Sequence, residues 1–251
     1  MNQNTMKLTT ALLTTAAAIT LALSLSANAQ EAQIRQALAE RFPKLEKIDE
    51  VRATPLVGLY EVRIGTDLYY TDAKGDYVLH GNLIDAKSRR NLTQERVNKL
   101  LAVDFSTLPL KDAVTIVRGD GRRRLAIFED PNCGYCKLLE RSLQQVNDIT
   151  VYLFLYPILN DDSTQKSRNI WCAKDKAGAW QDQMLRNKPA AAADCDTSAL
   201  QRNLAFGAKH KITGTPTMIF ANGSRVPGAL DAQEVEKRLA EAAGGKSPST
   251  P

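Results

Sequence analysis

The chain has 251 residues and a formal charge of +5, with 43% hydrophobic and 24% charged residues. That length can bury one core, or a core and a smaller domain, and the composition excludes a disordered chain and a polytopic membrane protein. The basic blocks "SRR" (Ser88–Arg90) and "GRRR" (Gly121–Arg124) are short and lack interleaved aromatics, so they read as solvated turns and no nucleic-acid partner is expected.

Residues 1–29 carry Lys7 as their only charge, a short apolar run broken by threonines, and "ANA" at Ala27–Ala29. The run falls short of the roughly 20 residues of a membrane span. The pattern predicts a signal peptide cleaved before Gln30, hence an exported protein. All four cysteines, Cys133, Cys136, Cys172 and Cys195, follow it. An even cysteine count in an exported chain suits an oxidising compartment.

In "EAQIRQALAERFP", Ile34, Leu38 and Phe42 share one side of a short helix that ends at Pro43. Two Val-, Ile- and Tyr-rich stretches follow, with "AKGD" as a hairpin loop and Tyr60, Tyr69, Tyr70 and Tyr77 as sheet residues. Residues 30–90 thus form a small α+β unit without cysteine. "NLTQERVNKLLAVD" spaces Leu92, Val97, Leu100 and Leu101 helically, so residues 91–108 are read as a linker helix.

A second domain is expected over residues 109–243. "AVTIV" and "RRLAIFED" read as strands around the turn "RGDG", "CGYCKLLERSLQQV" as a helix and "ITVYLFLYPI" as a buried strand. Residues 163–208 read as mostly helical. "TPTMIFANGSRVPG" reads as a hairpin turning at Asn222-Gly223. A last helix opens on Asp231, with Glu234 placed for a capping box. Residues 244–251, "GGKSPSTP", read as a disordered tail. The order predicts a mixed sheet with helices on both faces, an α/β arrangement.

"EDPNCGYCKLLE" (Glu129–Glu140) holds the chemistry. Haem attachment needs His after the second cysteine, and Lys137 stands there. A zinc site needs a second pair of close ligands; Cys172 and Cys195 are far apart and His80 and His210 are the only histidines. A Cys-x-x-Cys bridge closes too small a loop to stabilise much. A redox dithiol remains, with no metal or organic cofactor implied. Cys133 would open the helix, where backbone N–H groups favour a thiolate nucleophile. Cys136, one turn deeper, would resolve the mixed disulfide. Glu129 and Asp130 oppose thiolate formation and Lys137 favours it. His210 reads as a solvated helix end.

"GTPT" (Gly214–Thr217), before the strand "MIF", resembles the cis-proline loop of the thioredoxin superfamily. That likeness implies a cis Pro216 beside the cysteines and a Thr215 backbone that pairs with extended substrate. Together with "FEDPNCGYCKLLE", the exported α+β unit and the linking helix, it makes nearly all of the mature chain resemble periplasmic disulfide isomerases of the DsbC type. Gly134-Tyr135 is the dipeptide typical of that group. The resemblance implies a homodimer joined through cystatin-like N-terminal domains, with thioredoxin-like domains facing a shared cleft for misfolded exported proteins. It also implies an inner-membrane reductase of the DsbD type and a structural disulfide, Cys172–Cys195, in the helical insertion. The expected activity is protein disulfide isomerisation and reduction. The alternatives are a DsbG-like reductase of sulfenic acids and a holdase chaperone with incidental thiols.

Overall fold

The computed structural model describes residues 29–244, so the signal-peptide expectation and all of the expected tail after Gly244 fall outside the described residues. The chain divides into two units, one ending at Val97 and one starting at Asn98.

The first unit opens with helix α1 over residues 29–41. Ile34 and Leu38 are buried as the spacing predicts, but Phe42, just past the helix end, is 47% exposed. Strands β1 (Glu50–Ala53), β2 (Leu59–Ile64), β3 (Asp67–Asp72) and β4 (Val78–Leu79) pair antiparallel in that order. The "AKGD" turn between β3 and β4 is held by the Asp72 carboxylate, which accepts the N–H groups of Lys74, Asp76 and Tyr77. Val51, Val62 and Ile64 of the sheet pack with Ile34 and Leu38 of α1. Two short strands, β5 (Ile84–Asp85) and β6 (Arg90–Asn91), lead into α2 (Leu92–Leu100).

Helix α2 departs from its apolar reading. Its buried residues are Thr93 and Arg96, while Leu92, Val97 and Leu100 are half-buried. The reason is an acidic patch on the sheet: Arg96 pairs with Glu50 and with the buried Glu61, and Thr93 Oγ1 hydrogen-bonds the Tyr70 hydroxyl.

The second unit holds β7 (Val114–Arg118), β8 (Arg123–Glu129), α3 (Gly134–Leu143) and β9 (Ile149–Leu155). Helices α4 (Asp161–Cys172), α5 (Lys176–Arg186) and α6 (Ser198–Lys209) follow, then β10 (Thr217–Phe220), β11 (Arg225–Pro227) and α7 (Ala232–Ala243). The sheet order is β11-β10-β8-β9-β7. Only β8 and β9 run parallel, joined by the α3 crossover. The strands around "RGDG" are successive but not paired: β9 lies between them and β7 takes its outer edge.

Strand β8 is buried on both faces. Leu125 and Ile127 pack with Cys136, Leu139, Trp180 and Leu239 from α3, α5 and α7. Ala126 and Phe128 face the other way, where Phe128 stacks on Phe154 at 4.6 Å and on Phe206 of α6 at 5.8 Å. Each such side chain, fully withdrawn from water, contributes about 1.5–3 kcal/mol. Helix α7 forms half of the predicted capping box: Asp231 accepts the Glu234 N–H, while the Glu234 carboxylate pairs with Arg238.

Candidate functional site: a buried dithiol beside a cis-proline loop

Asp130, fully buried at the end of β8, organises the approach to the cysteines. Its carboxylate accepts the N–H groups of Asn132 (2.8 Å), Ile158 (2.9 Å) and Leu159 (3.1 Å) and the Ser163 hydroxyl (2.7 Å). The charge that sequence reasoning set against the thiol is therefore occupied in tying the β8–α3 loop to the β9–α4 loop.

Cys133 is the N-cap of α3, and its Sγ accepts the Cys136 N–H at 3.4 Å. The same Sγ donates to the Thr215 carbonyl at 3.3 Å. The Thr215–Pro216 peptide is cis, as the resemblance implies. Both cysteines are reduced; Cys133 is 6% exposed and Cys136 is sealed. Burial, and then the Glu129 carboxyl, push the Cys136 thiol far above its ordinary range. Cys136 therefore stays a thiol at rest. Gly134 and Tyr135 are exposed, Tyr135 by 67%.

The proline loop is held from behind. Arg225 of β11, itself buried, donates to the carbonyls of His210 and Lys211, both at 2.7 Å. The Tyr156 hydroxyl donates to the Ile212 carbonyl at 2.9 Å, and Thr217 Oγ1 to the Gly214 carbonyl at 2.7 Å. His210 is not the solvated helix end that was expected: it is half-buried, stacks on Phe206 at 4.2 Å, and burial lowers its pKa. Lys137 does not serve the thiols either; its Nζ donates to Asn187 Oδ1 at the end of α5.

Cys172 and Cys195 are joined by a disulfide spanning 23 positions, which ties the end of α4 to the segment before α6. Cys172 is half-buried and Cys195 exposed. Among the described residues, no three His, Cys, Asp or Glu side chains gather as a metal site, and no helix is long and apolar enough to cross a membrane.

Sequence reasoning missed Glu140 and Trp180. Trp180 Nε1 donates to Glu140 Oε1 at 2.8 Å in the core beneath Cys136. Glu140 lies one helical turn after Cys136, a spacing that puts it on the same buried face; that was the available signal. Trp180, from the helical insertion, carries no local signal of its partner.

A mixed sheet, a Cys-x-x-Cys pair at the start of a crossover helix and a cis-proline loop against it define a thioredoxin-like dithiol domain. Residues 110–243 match the thioredoxin-like domain family, and residues 25–94 match the disulfide bond isomerase protein N-terminal domain. A probable thiol:disulfide interchange protein DsbC of Bordetella parapertussis is 50% identical over 206 residues, covering 82% of this chain and 73% of that protein. The thiol:disulfide interchange protein DsbC of Escherichia coli K12 is 29% identical over 221 residues, covering 86% of this chain and 89% of that protein. A crystal structure of a disulfide interchange protein from Neisseria gonorrhoeae superposes with a TM-score of 0.52 at 33% identity, covering 54% of this chain and 98% of that one. The chain belongs to the DsbC family of thiol:disulfide interchange proteins. It is a thiol–disulfide oxidoreductase.

Proposed function

We propose that this enzyme rearranges wrong disulfides in exported proteins in the periplasm, with Cys133 as nucleophile and Cys136 as resolving thiol. The observation that carries this reading is the inequality of the pair. Cys133 Sγ sits at a helix N-terminus against the Thr215 carbonyl, while Cys136 is sealed and held as a thiol. Cys133 attacks a substrate disulfide and expels one substrate sulfur. A second substrate thiol then displaces Cys133, which completes isomerisation, or Cys136 displaces the substrate, which completes reduction. The reductive route leaves a Cys133–Cys136 disulfide that an inner-membrane reductase of the DsbD type would reopen.

Thr215, Pro216, Gly134 and Tyr135 are assigned to substrate binding. Tyr135, Leu138, Ile158 and Leu159 expose apolar surface on the segments that flank the cysteines, which suits an unfolded polypeptide. Residues 30–90 are assigned to dimerisation and 91–108 to the linker. Support for a homodimer comes from the isomerase N-terminal domain match and from the apolar residues that this unit exposes, among them Val57, Tyr77, Val78 and Leu79. Cys172–Cys195 is assigned a structural role.

The test is covalent trapping. Cys136→Ser protein mixed with scrambled ribonuclease should accumulate a mixed disulfide that maps to Cys133 by peptide mass. Linkage through any other cysteine would reverse the assignment.

A further inference from the structure

The cis-proline loop is fastened at both ends, and the fastening uses a buried charge. Arg225 stands on β11, the edge strand of the sheet, and is 6% exposed. Its Nη1 and Nη2 donate to the successive carbonyls of His210 and Lys211, both at 2.7 Å. The next carbonyl, of Ile212, accepts the Tyr156 hydroxyl at 2.9 Å. Tyr156 directly follows β9, and its ring lies against Gly207 of α6, where any side chain would run into it. At the exit, Thr217 Oγ1 donates to the Gly214 carbonyl at 2.7 Å, and the N–H of Gly228, just past β11, donates to the Pro216 carbonyl at 2.8 Å. Thr215 is left between these anchors, with its carbonyl against Cys133 Sγ.

Stability alone does not account for Arg225. Among the described residues no carboxylate pairs with it, and its Nε has no hydrogen-bond partner among the protein groups. Withdrawing an unpaired guanidinium from water costs free energy that an apolar side chain would not. The C-terminal end of α6, where His210 is the C-cap, compensates the charge in part. What the guanidinium supplies beyond an apolar side chain is direction, because a rigid fork fixes two neighbouring carbonyls at once.

On the reading of Thr215 as substrate-binding backbone, we propose that Arg225 and Tyr156 form a clamp that aims the Thr215 backbone at the substrate and thereby sets the preference of the enzyme for polypeptide disulfides. In the resting enzyme the Thr215 carbonyl is occupied by the Cys133 thiol. When Cys133 sulfur bonds to a substrate sulfur, that thiol hydrogen is gone and the carbonyl is free to accept a substrate N–H. The clamp keeps the carbonyl in place through this exchange of donors, so a chain that arrives with a backbone N–H beside its cysteine is held, and a small disulfide without one is not. Arg225 and Tyr156 touch neither sulfur; they are positioning residues that act through the loop.

The test uses the full chain carrying Cys136→Ser, so that reaction stops at the Cys133 mixed disulfide. The probe is a short synthetic peptide whose single cysteine is bonded to thionitrobenzoate. Cys133 sulfur bonds to the peptide sulfur, and the coloured thionitrobenzoate anion leaves with the electron pair. A second peptide is N-methylated at its cysteine and at the residues on either side, and so lacks the N–H groups that would pair with Thr215. Each rate is divided by that of free glutathione with the same peptide. The parent protein should favour the plain peptide about tenfold, the effect of one or two hydrogen bonds. Arg225→Met should reduce that preference to about twofold or less. Arg225→Lys, which reaches one carbonyl but cannot fork, should fall between. Tyr156→Phe keeps the ring against Gly207 and loses only the hydroxyl; it should lower the preference too, and it carries the test if Arg225→Met does not fold. A general loss of stability slows both peptides alike and leaves their ratio unchanged. A parent protein that reacts equally with both peptides overturns the Thr215 reading and the proposal with it. A parent that prefers the plain peptide, beside a folded Arg225→Met or Tyr156→Phe protein with the same preference, overturns the proposal alone.

Discussion

Glu129 is the residue whose chemistry departs furthest from its surroundings. Burial, reinforced by Glu140, raises its pKa well above the ordinary 4.5. The folded state therefore keeps a proton that the unfolded chain has released. The stability linked to this group is complete below about pH 4.5 and is lost as pH rises toward and through the folded value, by up to about 1.4 kcal/mol per pH unit. Glu129→Leu, which continues the Leu125 and Ile127 face, lacks that dependence. Urea titrations of reduced protein at pH 5, 6 and 7 should show the variant's advantage widening as pH rises. An advantage that stays constant would mean that Glu129 is not protonated in the folded state. Much of this site was legible in the sequence: the Cys-x-x-Cys spacing at a helix start pointed to a dithiol by local geometry, and the likeness of "GTPT" to the thioredoxin superfamily pointed to the cis Pro216. Glu140 and Trp180 were not, because their partnership links α3 to a helix forty positions away.

At the scale of elements, the site depends on loops fastened from outside their own segments. Asp130→Ala would leave three N–H groups and the Ser163 hydroxyl without their acceptor. Hydrogen bonds to a charged group contribute about 1.5–3 kcal/mol each when fully formed. A loss of at least about 3 kcal/mol is expected in urea denaturation, together with slower exchange at Cys133; unchanged stability would show that the loops hold without Asp130. The Cys172–Cys195 bridge acts by another route, by restricting the unfolded chain. For a span of 23 positions the chain-entropy relation gives about 3 kcal/mol. A Cys172→Ser, Cys195→Ser variant should lose that amount with Cys133 and Cys136 still reactive, and a variant as stable as wild type would refute the structural role. Element order was readable from period and turn chemistry. Strand neighbours were less so: nothing local in "AVTIV" says that it pairs with β9 rather than with β8. The α2 face was misread because its true partners, Glu50 and Glu61, lie 46 and 35 positions earlier, and a hydrophobic pattern does not register an ion pair.

For the whole molecule, the cysteine pair and the cis-proline loop both lie in the thioredoxin-like unit, and the cysteine-free N-terminal unit asks for a separate reason to exist. Pairing two chains through that unit would set two Cys133 sulfurs around one substrate and shield both from oxidants that act on monomeric dithiols. Light scattering of the mature chain should accordingly give twice the monomer mass. The central claim, that Cys133 rearranges wrong disulfides, is tested most directly by reactivation of scrambled ribonuclease in a glutathione buffer with substoichiometric enzyme. Wild-type protein should restore ribonuclease activity well beyond the buffer alone, and Cys133→Ser should restore none beyond it. Wild-type protein no faster than the buffer, or a Cys133→Ser variant as fast as wild type, would contradict the account.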